Sequence, residues 1–217
     1  MKKSAYALLL LLAACRPEPG EPDYLNNGPF ARPDGGTEPN GGGLPGPFPF
    51  QEGQRRLGVG FYEGGRSEDI AIDNTTTHVY LYENTVTMEP ADEHIEGRTA
   101  DLVVHGGKAW LGFGVHWDTP RTMDGWKTLH VSLKSADPGF ANVTVAMNDS
   151  SNLSVQLDVK KYGYLNDGEW HHLAIPLADY AAKGLKLNAV NSPFALFSGA
   201  GPAADKLVLD NLYFTAD

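Results

Sequence analysis

After Gln54 the chain alternates apolar and polar positions in short segments. Leu129, Val131 and Leu133 fall on every second position, as do Val143, Val145 and Met147, and then Leu153, Val155, Leu157 and Val159. A period of two throws successive side chains to opposite faces of an extended backbone, so each run predicts a strand with one buried face. Leu207 to Phe214 predicts another, and Trp110 to Trp117 alternates as well. In that segment Leu111, Phe113, Val115 and Trp117 form a core row, while Trp110, Gly112, Gly114 and His116 share the opposite face. Turn formers separate the runs: Ser135-Ala136-Asp137-Pro138-Gly139, Asn148-Asp149-Ser150-Ser151-Asn152 and Asn166-Asp167-Gly168. A single helical turn is predicted from Leu177 to Lys183, ended by Gly184. Many short strands with little helical periodicity define an all-β class, an antiparallel β-sandwich or barrel.

The first 54 residues have another texture. Lys2 and Lys3 precede an apolar run, Ala5 to Leu12, that is too short to span roughly 30 Å of hydrocarbon. Leu12-Ala13-Ala14-Cys15 follows and resembles the lipobox of bacterial lipoproteins. The resemblance implies a signal peptide over residues 1–14 and acylation of Cys15, for instance with palmitate. More than one acyl chain holds a protein firmly to a membrane that it does not span. Arg16 after the cysteine favours the outer membrane of a bacterial envelope. Residues 15–54 repeat Pro and Gly, as in Gly41-Gly42-Gly43-Leu44-Pro45-Gly46-Pro47, and read as a disordered tether to a domain at 55–217.

Composition narrows the function. One Cys among 217 residues excludes a disulfide framework. With 17 Lys+Arg against 27 Asp+Glu, the net charge of -10 argues against nucleic acid as a partner.

Four segments then resemble a known pattern. Trp126 to Leu133, Gly168-Glu169-Trp170-His171 leading into Ile175-Pro176-Leu177, Pro193 to Phe197, and Leu209-Asp210-Asn211-Leu212-Tyr213-Phe214 occur in the order seen in galactose-binding-like jelly rolls. Among these the chain is similar to bacterial carbohydrate-binding modules and to the non-catalytic domain of exo-β-glucan glucohydrolases. Leu57 to Asn74 is extra, lying ahead of the expected first strand. The resemblance implies a structural Ca²⁺ between Asp210 of the last strand and Glu83 of the first, completed by carbonyls and a carboxylate from Asp92, Glu93 or Glu96. In the last strand Val208, Asp210, Leu212 and Phe214 would share one face. An ionised Asp210 in that row needs a cation or several donors, and backbone N–H groups are the alternative to a metal.

Sugar sites pair an aromatic platform with groups that exchange hydrogen bonds with hydroxyls. Trp110, His116, Asp118 and Arg121 supply that mixture within one strand and its exit, where Gly112 and Gly114 leave a shallow floor. Tyr162 and Tyr164 are a second candidate platform, with cross-strand packing as the alternative. No His-Glu-x-x-His, Gly-x-Ser-x-Gly or phosphate loop occurs, so the reading is a non-catalytic protein. A lipid-anchored, carbohydrate-binding jelly roll with a polysaccharide or glycan partner is the first expectation. An envelope lipoprotein that docks a protein partner, and a polysaccharide-active enzyme, are compatible with the same residues.

Overall fold

The computed structural model describes residues 56–60, 70–71, 76–95 and 100–216. The signal peptide, Cys15 and the tether lie outside the described residues.

Twelve strands are described: β1 (Arg56–Gly60), β2 (Ile70–Ala71), β3 (Thr77–Leu81), β4 (Val86–Ala91), β5 (Ala100–Gly106), β6 (Leu111–Trp117), β7 (Thr128–Lys134), β8 (Thr144–Asp149), β9 (Ser154–Asp158), β10 (His171–Pro176), β11 (Val190–Ser198) and β12 (Ala203–Thr215). The one described α-helix, α1 (Leu177–Ala181), stands where the helical turn was expected. Gly184, at φ +97, lies beyond its end in a conformation that few side chains adopt.

Five strands form one sheet in the order β3-β6-β11-β8-β9. In the seven-stranded sheet β10, β7 and β12 lie side by side, and the long β12 meets two partners along its far edge. Its first half pairs with β5, which carries β4, and its second half pairs with β1. Every pairing is antiparallel except the parallel β1–β2 contact. The extra stretch after Leu57 thus contributes strand to this sheet, with Arg56 opposite Thr215 and Gly58 opposite Tyr213.

Two sheets facing each other bury the rows that alternation picked out. Leu129, Val131 and Leu133 meet Leu111, Phe113 and Val115 in one cluster, all fully buried. Each such side chain contributes about 1.5–3 kcal/mol of transfer free energy. Leu153 is the exception in its run, being exposed because β9 begins one residue later.

The last strand departs from strict alternation. Its register shifts between Asp210 and Tyr213, and Asn211 has φ 54. This β-bulge sets two residues against one and changes the phase of everything beyond it. Leu207 and Leu209 face the core before the bulge, and Leu212 and Phe214 after it. The continuous row through Val208, Asp210, Leu212 and Phe214 is therefore corrected.

Candidate functional site

Strands of the five-stranded sheet turn their second set of side chains away from the core. His78 and Tyr80 come from β3, Trp110 and His116 from β6 and its approach, Phe197 from β11, and Asn148 from β8. All of these but His78 border an open cleft of about 770 Å³, a size within the roughly 300–1,000 Å³ usual for ligand pockets.

Tyr82 stands at its centre. It follows β3 in a tight turn where Glu83 and Asn84 both have positive φ, at 51° and 52°. Thr85 fixes that turn: its hydroxyl donates to the Tyr82 carbonyl at 2.7 Å and accepts from the Gly112 N–H at 3.1 Å. The Tyr82 ring then stacks on Phe197 at 5.6 Å and 9°, and on Trp110 at 6.5 Å and 29°. Three roughly parallel rings make one wall.

The glycines serve that wall. A Cβ on Gly112 would stand 2.7 Å from the Phe197 ring and 2.8 Å from Trp110, and one on Gly114 would stand 2.6 Å from the Tyr82 hydroxyl. Their faces are filled by aromatic side chains, which corrects the bare floor expected from the sequence.

Polar groups complete the cleft. His116 Nε2 lies 2.6 Å from the Tyr82 hydroxyl. Burial first, and then His78, push the His116 imidazole down to about 4, while burial pushes the Tyr82 phenol up. Asp118 sits 3.1 Å from His78 Nε2. Trp117 Nε1 and Asn148 Oδ1 are buried and make no hydrogen bond among the described residues. Both residues line the cleft, and Trp117 belongs to the core cluster as well.

Three of the residues expected from sequence, Trp110, His116 and Asp118, converge here. Arg121 does not line the cleft: its guanidinium lies 4.8 Å over the Trp117 ring and its backbone pairs with Val190. Tyr162 packs against the core and donates to Asp179 at 2.7 Å, away from these residues. Tyr164 is fully buried and donates to the Phe140 carbonyl at 3.0 Å, so it offers no platform. Tyr80, Tyr82, Phe197 and Asn148 were missed. For Tyr80 and Tyr82 the signal was alternation, since they share one period with His78, and Val79 and Leu81 share the other; Phe197 and Asn148 are brought in by strand pairing alone.

The implied metal pair does not form. Glu83 is exposed at the cleft, whereas Asp210 is buried in the seven-stranded sheet and accepts from the N–H groups of Ile95 and Asn211. No three His, Cys, Asp or Glu side chains converge as a metal site among the described residues. The carboxylate beside Asp210 is Asp101, which is 6% exposed and whose Oδ1 makes no hydrogen bond among the described residues. Burial, and then Asp210, hold Asp101 well above the usual carboxylate range.

Two antiparallel sheets packed as an all-β sandwich define a galactose-binding-like jelly roll. A family model described as galactose-binding domain-like matches residues 67–212, and the chain belongs to that family. None of the curated proteins matches. Among solved structures, a family 30 carbohydrate-binding module is similar at 13% identity and TM-score 0.50, over 64% of this chain and 77% of that one. The family 11 module from Clostridium thermocellum, in complex with a β-1,3-1,4-mixed-linked tetrasaccharide, is similar at 15% identity and TM-score 0.43, over 64% and 88%. An exo-1,3/1,4-β-glucanase from a Pseudoalteromonas species is similar at 14% identity and TM-score 0.42, over 67% of this chain but 16% of that enzyme.

Proposed function

We propose that this protein binds a glycan chain in the cleft and does no chemistry on it. The observation that carries this reading is the wall of Trp110, Tyr82 and Phe197 with His116 and Asp118 lining the same cleft. Stacked rings match the C–H face of a sugar, and the imidazole and carboxylate that share the cleft match its hydroxyls. Mixed-linkage β-glucan, a chain of pyranose rings that present both C–H faces and hydroxyls, is the first probe. Calorimetric titration with that glucan and a panel of soluble polysaccharides tests the reading. Binding that Trp110→Ala reduces at least tenfold supports it. No glycan binding, together with a reproducible protein partner in pull-down, refutes it.

The lipid anchor is a second part of the proposal: Cys15 is acylated and the protein works at the outer membrane. Incorporation of labelled palmitate that Cys15→Ala abolishes tests this part. We also propose that calcium, where bound, is held by Asp101 and Asp210 rather than by Glu83. The buried Asp101 Oδ1, which makes no hydrogen bond among the described residues, supports this reading, since a cation would satisfy it. A chelator that leaves the melting temperature unchanged refutes it.

A further inference from the structure

We propose that the cleft selects its glycan by charge: Glu83 and Asp118 admit a neutral or amino-bearing chain and repel one that carries uronate or sulfate groups. This rests on the glycan reading of the cleft and deepens it.

The two carboxylates stand at opposite ends of one cleft. Asp118 follows β6, and its N–H donates to the Thr76 carbonyl at 3.1 Å, just before β3 begins. Glu83 lies in the turn past Leu81, at the other end of that strand. Thr85, which fixes the turn at Tyr82, fixes the backbone that carries Glu83 as well. Both carboxylates line the cleft and both residues are exposed, where such groups are ionised at neutral pH. From Thr76 to Leu81 the strand runs roughly 17 Å at about 3.4 Å per residue. A charge bound midway therefore lies about 10 Å from each carboxylate, comparable with the ~10 Å screening length at 0.1 M salt.

Little opposes them. No Lys or Arg lines the cleft among the described residues. Arg121 is held outside it, with its guanidinium 4.8 Å over the Trp117 ring. His116 lines the cleft, but burial and then His78 push its imidazole down to about 4, so it supplies no cation at neutral pH. His78 Nε2 lies 3.1 Å from Asp118, so the test belongs above the ordinary histidine range of about 6.5. Coulomb repulsion between unit charges across about 8 Å weakens binding about twofold in water and about thirtyfold at the effective dielectric of a protein surface. A chain with an anionic group on successive sugars meets that repulsion wherever it lies along β3.

Calorimetry on the full-length protein in detergent, at about pH 8 and about 10 mM salt, tests this with three forms of one mixed-linkage β-glucan. One is unmodified, one is oxidised to a carboxylate at the primary hydroxyl, and one is aminated at the same carbon. The oxidised chain is expected to bind roughly tenfold more weakly than the unmodified chain, and the aminated chain at least as tightly. That gap should shrink as salt rises to about 0.5 M. In the double variant Glu83→Gln/Asp118→Asn, measured against its own affinity for the unmodified chain, the gap should narrow to about threefold or less. Equal affinity of the wild type for unmodified and oxidised chains overturns this inference alone. Equal weakening by both modifications makes bulk the cause and overturns it too, as does a gap that salt leaves unchanged, a measurement that needs no variant. A gap that the double variant keeps in full belongs to the net charge of -10 and overturns the assignment to Glu83 and Asp118. A wild type that binds no glycan in the panel overturns the reading of the cleft and this inference with it.

Discussion

Asp101 offers a direct test of the electrostatics in the seven-stranded sheet. Its carboxyl is almost fully buried beside Asp210, and burial, with that neighbour second, keeps it protonated well above the unfolded value of 3.8. Between those two values the native state binds one proton that the unfolded chain has released. Linkage then makes the unfolding free energy fall as pH rises, by about 1.4 kcal/mol per pH unit, until Asp101 itself ionises. Below the unfolded value the contribution is fully present. Asp101→Asn preserves the shape and removes the proton, so its stability relative to wild type should climb by that slope. For a domain of this size the climb is roughly 3–6 °C in Tm per unit. The assay is denaturant or thermal unfolding of both proteins between about pH 4.5 and about pH 6.5 with a chelator present, since a bound cation would favour the ionised form. Parallel curves for the two proteins would refute the assignment of a protonated, buried Asp101.

Three further outcomes follow from the packing. Burial would raise Asp149, but hydrogen bonds from the Ser151 hydroxyl and from the N–H groups of Lys186, Ser151 and Leu153 hold it at about 2. Asp149→Ala should therefore cost roughly 1.5–3 kcal/mol at neutral pH in urea unfolding. That difference should persist above pH 3.8 and vanish as pH falls through about 2. Gly112→Ala drives a Cβ to 2.7 Å from Phe197, so calorimetry should show glucan affinity reduced more than tenfold while circular dichroism shows an intact sheet. Tyr164→Phe removes one buried hydrogen bond to the Phe140 carbonyl and should lower stability by about 1 kcal/mol without changing glycan affinity.

The sequence by itself determined the strands and the core rows. Side-chain alternation is a local property of extended backbone, so Leu129, Val131 and Leu133, or Leu111, Phe113 and Val115, declare their buried face without knowing their partners. It likewise put Trp110, on the approach to β6, and His116, within it, on one outward face, because residues of equal parity along extended backbone share a face. Only the tertiary structure decided what stood beside them. Tyr82, Phe197 and Asn148 reach the cleft from a turn and two other strands, through register that no local period encodes. The same dependence moved the acidic partner of Asp210 from Glu83 to Asp101, once β5 and β12 had paired. It also broke the phase of β12, where the bulge at Asp210 and Asn211 lets one strand switch between two partners and still return Leu212 and Phe214 to the core. Alternation is written into each segment, whereas pairing is settled by which faces can be buried together, and only pairing brings distant residues into one site.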